Sequence, residues 1–130
     1  QFYTVRGDLS YNMQYKSDYK YLTMSVFQVA QGGNAYVEGI FRLMNGVREE
    51  IGSTEHFVVM QTNTGGSFNE YVFVTGHDTM LEAVDQSEFL KALGTLTAVK
   101  PGWDKEWGDN VWGGYSQTME FKPLLSTQLD

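Results

Sequence analysis

All three tryptophans of the chain lie within ten positions, in Trp103-Asp104-Lys105-Glu106-Trp107-Gly108-Asp109-Asn110-Val111-Trp112-Gly113-Gly114-Tyr115, with three acidic residues among them. Flat indole faces stack on the C–H-rich sides of sugar rings, and neighbouring carboxylates and amides hydrogen-bond to hydroxyls. Trp103, Trp107, Trp112 and Tyr115, with Asp104, Asp109 and Asn110, are therefore the candidate ligand-binding residues for a glycan or small amphipathic ligand. The same rings could line an apolar pocket or anchor a protein partner. The competing reading is packing, because large indoles are usually mostly buried and could plug one end of a β-core. Asp104, Glu106 and Asp109 offer the oxygens that Ca²⁺ takes. Their spacing lacks the Gly and Glu of an EF-hand loop, and an acidic stretch in a chain of net charge −7 needs no metal to explain it. No metal and no cofactor is expected.

Acid–base chemistry has four weak candidates: His56, His77, Glu38 and Glu70. One His or carboxylate in an apolar cavity can suffice for proton transfer. His56, read on a strand facing a cavity with Tyr71 nearby, fits that need. His77 and Asp78 are adjacent, but adjacent strand residues point to opposite faces, and Asp78 reads as a helix-start residue. Glu38 and Glu70 lie inside otherwise apolar runs; facing inward, each would have a raised pKa. The expectation is that they face outward. No Ser has a Gly-x-Ser-x-Gly context, so a hydrolytic triad has no support.

Two further motifs carry weaker signals. Arg6-Gly7-Asp8 matches the tripeptide that integrins recognise, and it also reads simply as a turn between strands. Tyr11-Asn12-Met13-Gln14-Tyr15 alternates apolar and amide side chains and has no charge, the pattern of a strand that can complete a neighbour's sheet.

These residues need elements to position them, and the dominant period is two. Tyr19 to Ala30 reads as a long strand with apolar residues on both faces, hence covered on both sides. Ala35 to Met44 reads as a second strand, joined to the first by a hairpin at Gln31-Gly32-Gly33-Asn34. Phe57–Gln61 and Phe68–Thr75 read as another hairpin around Asn63-Thr64-Gly65-Gly66. Phe2–Val5, Leu9–Tyr15, a short strand near Val47–Ile51 after an Asn45-Gly46 turn, and Met119–Phe121 before Pro123 complete the strand set. One or two short helices are predicted between 79 and 93: Thr79-Met80-Leu81-Glu82 is a capping box, and Gly94 is a stop. Residues 100–114, with Pro101, read as a long loop.

The fold expected is one domain over 1–130, mainly β: an antiparallel barrel or sandwich of about seven to nine strands with one short helical insertion. The runner-up is an α+β arrangement with a helix packed on an antiparallel sheet. Composition narrows the partners. With 16 acidic and 9 scattered basic side chains, the chain suits neither a nucleic-acid backbone nor an anionic membrane surface. It has no Cys for disulfides. No apolar run approaches the ~20 residues of a membrane span. The start at Gln1 fits a secreted or periplasmic protein. Three functions follow: a binding domain using its Trp-rich loop, a structural subunit of an extracellular homo-oligomeric assembly joined by edge strands, and a small β-barrel enzyme such as an acid–base isomerase, cyclase or hydrolase.

Overall fold

Five strands, all antiparallel to their neighbours, form one open sheet in this computed structural model, which describes residues 2–13, 18–63 and 68–120. In chain order these are β1 (Phe2–Val5), β2 (Tyr21–Ala30), β3 (Val58–Asn63), β4 (Phe68–His77) and β5 (Val111–Glu120). Across the sheet the order is β1-β3-β4-β2-β5. Four helical segments accompany them: α1 (Asn34–Glu50), α2 (Met80–Val84), α3 (Ser87–Val99) and α4 (Trp103–Asn110). β2 and β3 run parallel with β4 between them, linked by α1; β4 and β5 run parallel with β2 between them, linked by α2 to α4. These are two interleaved β-α-β units, the split βαβ or ferredoxin-like topology.

The barrel or sandwich is therefore incorrect. The sheet does not close, and the class is α+β. The runner-up named that class, with helix expected only at 79–93; α1 and α4 were not expected. The main error is at α1. Its odd positions Ala35, Val37, Gly39, Phe41 and Leu43 imitate a strand face. The residues it buries are Val37, Ile40, Phe41, Met44, Val47 and Arg48, which follow the helical period. Leu43 is exposed. Asn45-Gly46 and Val47–Glu50 are the last turns of this helix, not a turn and a strand.

Gly32-Gly33 makes no hairpin. Gly32 adopts φ +86°, a conformation that costs glycine little, and Gly33 is the helix N-cap. A Cβ on Gly33 would come within 2.8 Å of Asn110 Oδ1 and 3.2 Å of the Ala30 carbonyl, so a side chain there would be crowded and Asn110 would have to move.

Downstream, Gly94 does not stop α3, which runs on to Val99. The expected 100–114 loop is instead α4 followed by the start of β5. Expected strand Leu9–Tyr15 is absent from its described part. Leu9 is a buried turn residue, and Tyr11 makes one isolated bridge to Phe57.

Other expectations hold. β1 and β2 form where predicted, and β3 pairs with β4 from Val58↔Val74 to Asn63↔Asn69. Their Thr64-Gly65-Gly66 turn, like Phe121 and Pro123, lies outside the described residues. Two helices start in the 79–93 window. The Thr79 hydroxyl accepts a hydrogen bond from the Glu82 amide at 3.1 Å, so the N-cap is Thr79, not Asp78.

The core lies between the helices and one sheet face. Leu9, Val29, Val37, Phe41, Phe57, Val59 and Tyr71 join α1 to the sheet. Ile40, Met44, Val47, Ala92 and Leu96 join α1 to α3. Trp107 packs against both groups.

Candidate functional site on the sheet face

Period-two alternation decides what each sheet face carries. Phe27, Val29, Val59 and Tyr71 turn toward the helices. Their neighbours Val26, Met60, Glu70 and Val72, together with Met24 and Tyr115, face the other way and line a shallow depression of about 380 Å³. Strand register extends this face. Val58, Met60 and Thr62 align with Val74, Val72 and Glu70; Met119, Gln117 and Tyr115 align with Leu22, Met24 and Val26; and Val5 aligns with Met60. Glu70 is the one charged side chain among the described strand positions on this face. It accepts a 3.3 Å hydrogen bond from Gln28 Nε2. Beside it in register, the Thr62 hydroxyl is buried and has no partner. An apolar floor with one carboxylate and a phenol at its rim can hold an apolar body and accept hydrogen bonds from its polar end.

Glu38, the second glutamate picked from the sequence, is placed very differently. It projects from α1 toward the sheet, where Arg6 donates two hydrogen bonds to it, at 3.0 and 2.8 Å. Tyr71 donates its hydroxyl proton to Glu38 and accepts from Asn34 Nδ2 at 2.9 Å. The Arg6 guanidinium holds the Glu38 carboxyl below the usual range, ahead of the opposing effect of burial. Burial, then the hydrogen bond to Glu38, pushes the Tyr71 phenol up to about 12. A carboxylate clamped in this way is a strut that ties β1 and β4 to α1.

The Arg6-Gly7-Asp8 tripeptide belongs to the same network. Arg6 also grips Asp8 through Nε and Nη2 at 3.0 and 2.9 Å. Arg42 adds a 2.7 Å bond to Asp8. Both charged ends of the tripeptide are engaged within the chain.

The histidines meet at another place. The rings of His56 and His77 are 5.9 Å apart. His56 Nε2 lies 2.9 Å from the Gly76 carbonyl, which only accepts, so that nitrogen carries the proton. The His56 ring stacks on Tyr19, and Tyr71 is on Glu38 instead. His77 Nε2 is buried without a hydrogen-bond partner, and burial, followed by His56, lowers its pKa.

The Trp-rich segment is divided between the two sides of the sheet. Trp107 meets Phe27 and Phe41 edge-on, each at 5.7 Å between centroids. Trp103 stands against Trp107 at 6.2 Å. Its Nε1 donates to Thr97 at 3.1 Å, while its carbonyl accepts from Tyr36 at 2.8 Å. Both rings are half-buried and hold α4 on α1 and α3. Asp104 and Asp109 are exposed on α4, and Asn110 donates to the Glu106 carbonyl at 2.8 Å. Tyr115 lies across the sheet beside Val26. Trp112 is in β5, and its side chain lies outside the described residues. No group of three His, Cys, Asp or Glu side chains suited to a metal occurs among the described residues. None of the described helices is long and apolar enough to cross a membrane.

The sequence reading missed Met24, Val26, Met60 and Val72 as site residues. For Met24 and Val26 the signal was present in β2, whose even positions are apolar as well as its odd ones. Compared with protein-family models and with curated proteins, the chain matches none.

Proposed function

We propose that this chain is a binding domain without catalysis of its own, and that the sheet face around Glu70 takes up a small amphipathic ligand. The apolar part lies on Met24, Val26, Met60 and Val72, and a hydrogen-bond donor, preferably cationic, meets Glu70. One observation carries this reading: an apolar face with a single carboxylate has none of the described helices packed across its depression. Binding is favoured over turnover because the depression is shallow, holds no histidine, and has its one carboxylate hydrogen-bonded to Gln28. The half-buried packing of Trp103 and Trp107 supports an amphipathic ligand over a glycan, which needs an indole face free for stacking.

Titration calorimetry with n-octylamine, octanoate and maltotriose tests the reading. Octylamine binds saturably, octanoate binds more weakly, and the sugar gives no heat. Glu70→Gln weakens octylamine by about tenfold, the loss of one charge-assisted hydrogen bond. Binding of octylamine that is unchanged in Glu70→Gln, or absent in the wild type, contradicts it.

A further inference from the structure

We propose that a second copy of this chain completes the site: two copies dock sheet face on sheet face about a two-fold axis, and the depression becomes a chamber enclosed between them. This rests on the reading that the Glu70 face is the binding surface, and it adds what roofs that surface.

Charge is the first argument. Each copy carries −7, from 16 acidic and 9 basic side chains. Bringing two such copies together through their helical sides would oppose Glu82, Asp104, Glu106 and Asp109 with their like, all of them exposed. Like charges brought face to face cost several kcal/mol. The Glu70 face brings one carboxylate per copy, already hydrogen-bonded to Gln28. Interface cores are depleted of charge in the same way.

Area is the second. β2, β4 and β5 have ten residues each, β3 six and β1 four. At ~3.3 Å per residue and ~4.8 Å between strands, the face covers roughly 600 Å² per copy. Two copies together bury about 1,200 Å², the lower end of the range for specific interfaces.

Shape is the third. Stacked sheets pack about 10 Å apart, with inward side chains filling the gap. Met24, Met60, Tyr115 and Met119 supply long side chains for that layer. A two-fold axis presents the same patch to itself, so one self-complementary surface is enough. The edge-strand route differs between the two edges: β1 is four residues long and Tyr11 is already bridged to Phe57, while pairing along the ten-residue β5 edge would leave the apolar face uncovered.

Sedimentation velocity from micromolar to several hundred micromolar protein tests the proposal, with wild type, Tyr115→Glu, Met24→Glu and Lys105→Glu. The wild type is a dimer. Tyr115→Glu and Met24→Glu each raise the dimer dissociation constant at least tenfold, and Lys105→Glu, on the exposed side of α4, does not. Tyr115 is 58% exposed, so its variant folds even if Met24→Glu does not; circular dichroism checks both. A wild-type monomer at every concentration overturns the proposal. So does a dimer indifferent to both face substitutions, which would point to the sheet edges. Octylamine titration separates this inference from the reading beneath it. A dimer that takes up no octylamine keeps the face-to-face contact and removes the ligand reading, whereas a monomer that binds octylamine does the reverse.

Discussion

Glu38 and Glu70 lie on opposite sides of one sheet, and their surroundings differ in kind. On the helix side, Glu38 is held by Arg6, Arg42 and the Tyr71 hydroxyl. On the other side, Glu70 has one amide donor, Gln28, and an apolar surround. A carboxylate whose hydrogen-bonding capacity is used inside the chain ties elements together. One with capacity to spare, on an apolar floor, can recognise something else. Packing shows the same contrast. The helix side interlocks Phe27, Phe41, Phe73 and Trp107 edge to face, while the other side presents flexible methionines, which adapt to different shapes.

Substitutions on the two sides should separate stability from binding. Phe41→Ala removes the ring at the centre of the aromatic cluster, where it is 7% exposed, and is expected to cost about 3–5 kcal/mol in urea denaturation. Glu38→Gln leaves Arg6 without its main partner. A fully buried pair would cost about 3–5 kcal/mol. Because these side chains are 15–20% exposed, solvent screening lowers the expected loss to about 1–3 kcal/mol.

Acid acts on the helix side in two steps, both read from urea midpoints against pH. His77 has a lowered folded pKa, so its contribution is complete above the unfolded value near 6.5 and declines as pH falls through the folded value. His77→Gln flattens that part of the profile. Glu38 and Asp8 are lowered by Arg6, so their contribution is present above about pH 4 and lost below it. The smallest effect is expected for Glu70→Gln, within about 0.5 kcal/mol of wild-type stability. A large loss there would erase the distinction between the two carboxylates.

What the sequence revealed of this fold depended on local chemistry. The helical stretch after Thr79 was legible because its side-chain cap exists: Thr79 binds the Glu82 amide. α1 and α4 begin without any side-chain cap, at Gly33 and Gly102. Their glycines then read as turns. In α1, Val37 and Phe41 satisfy a period of two and a period of 3.6 alike. The deciding residues were Ile40 and Met44: a strand reading puts them on the face opposite Val37, Phe41 and Val47, whereas one helical stripe gathers all five. β2 was recognised with apolar residues on both faces, which is the origin of the site. The sequence could not show that α1, α3 and α4 would pack on the Phe27 face, because that depends on how the crossovers wind about the sheet, a long-range property. Glu70 was picked for sitting in an apolar run, and that local signal survived the change of fold.

Methionine methyl resonances offer the most direct test, since the two sides of the sheet each carry reporters. Met24 and Met60 line the depression, and Met44 lies buried between α1 and α3. With ¹³C-methyl-labelled protein titrated with n-octylamine, the Met24 and Met60 signals are expected to shift and saturate together while Met44 stays in place. Shifts at Met44 with Met24 and Met60 unmoved would contradict the assignment of the binding surface to the Glu70 face.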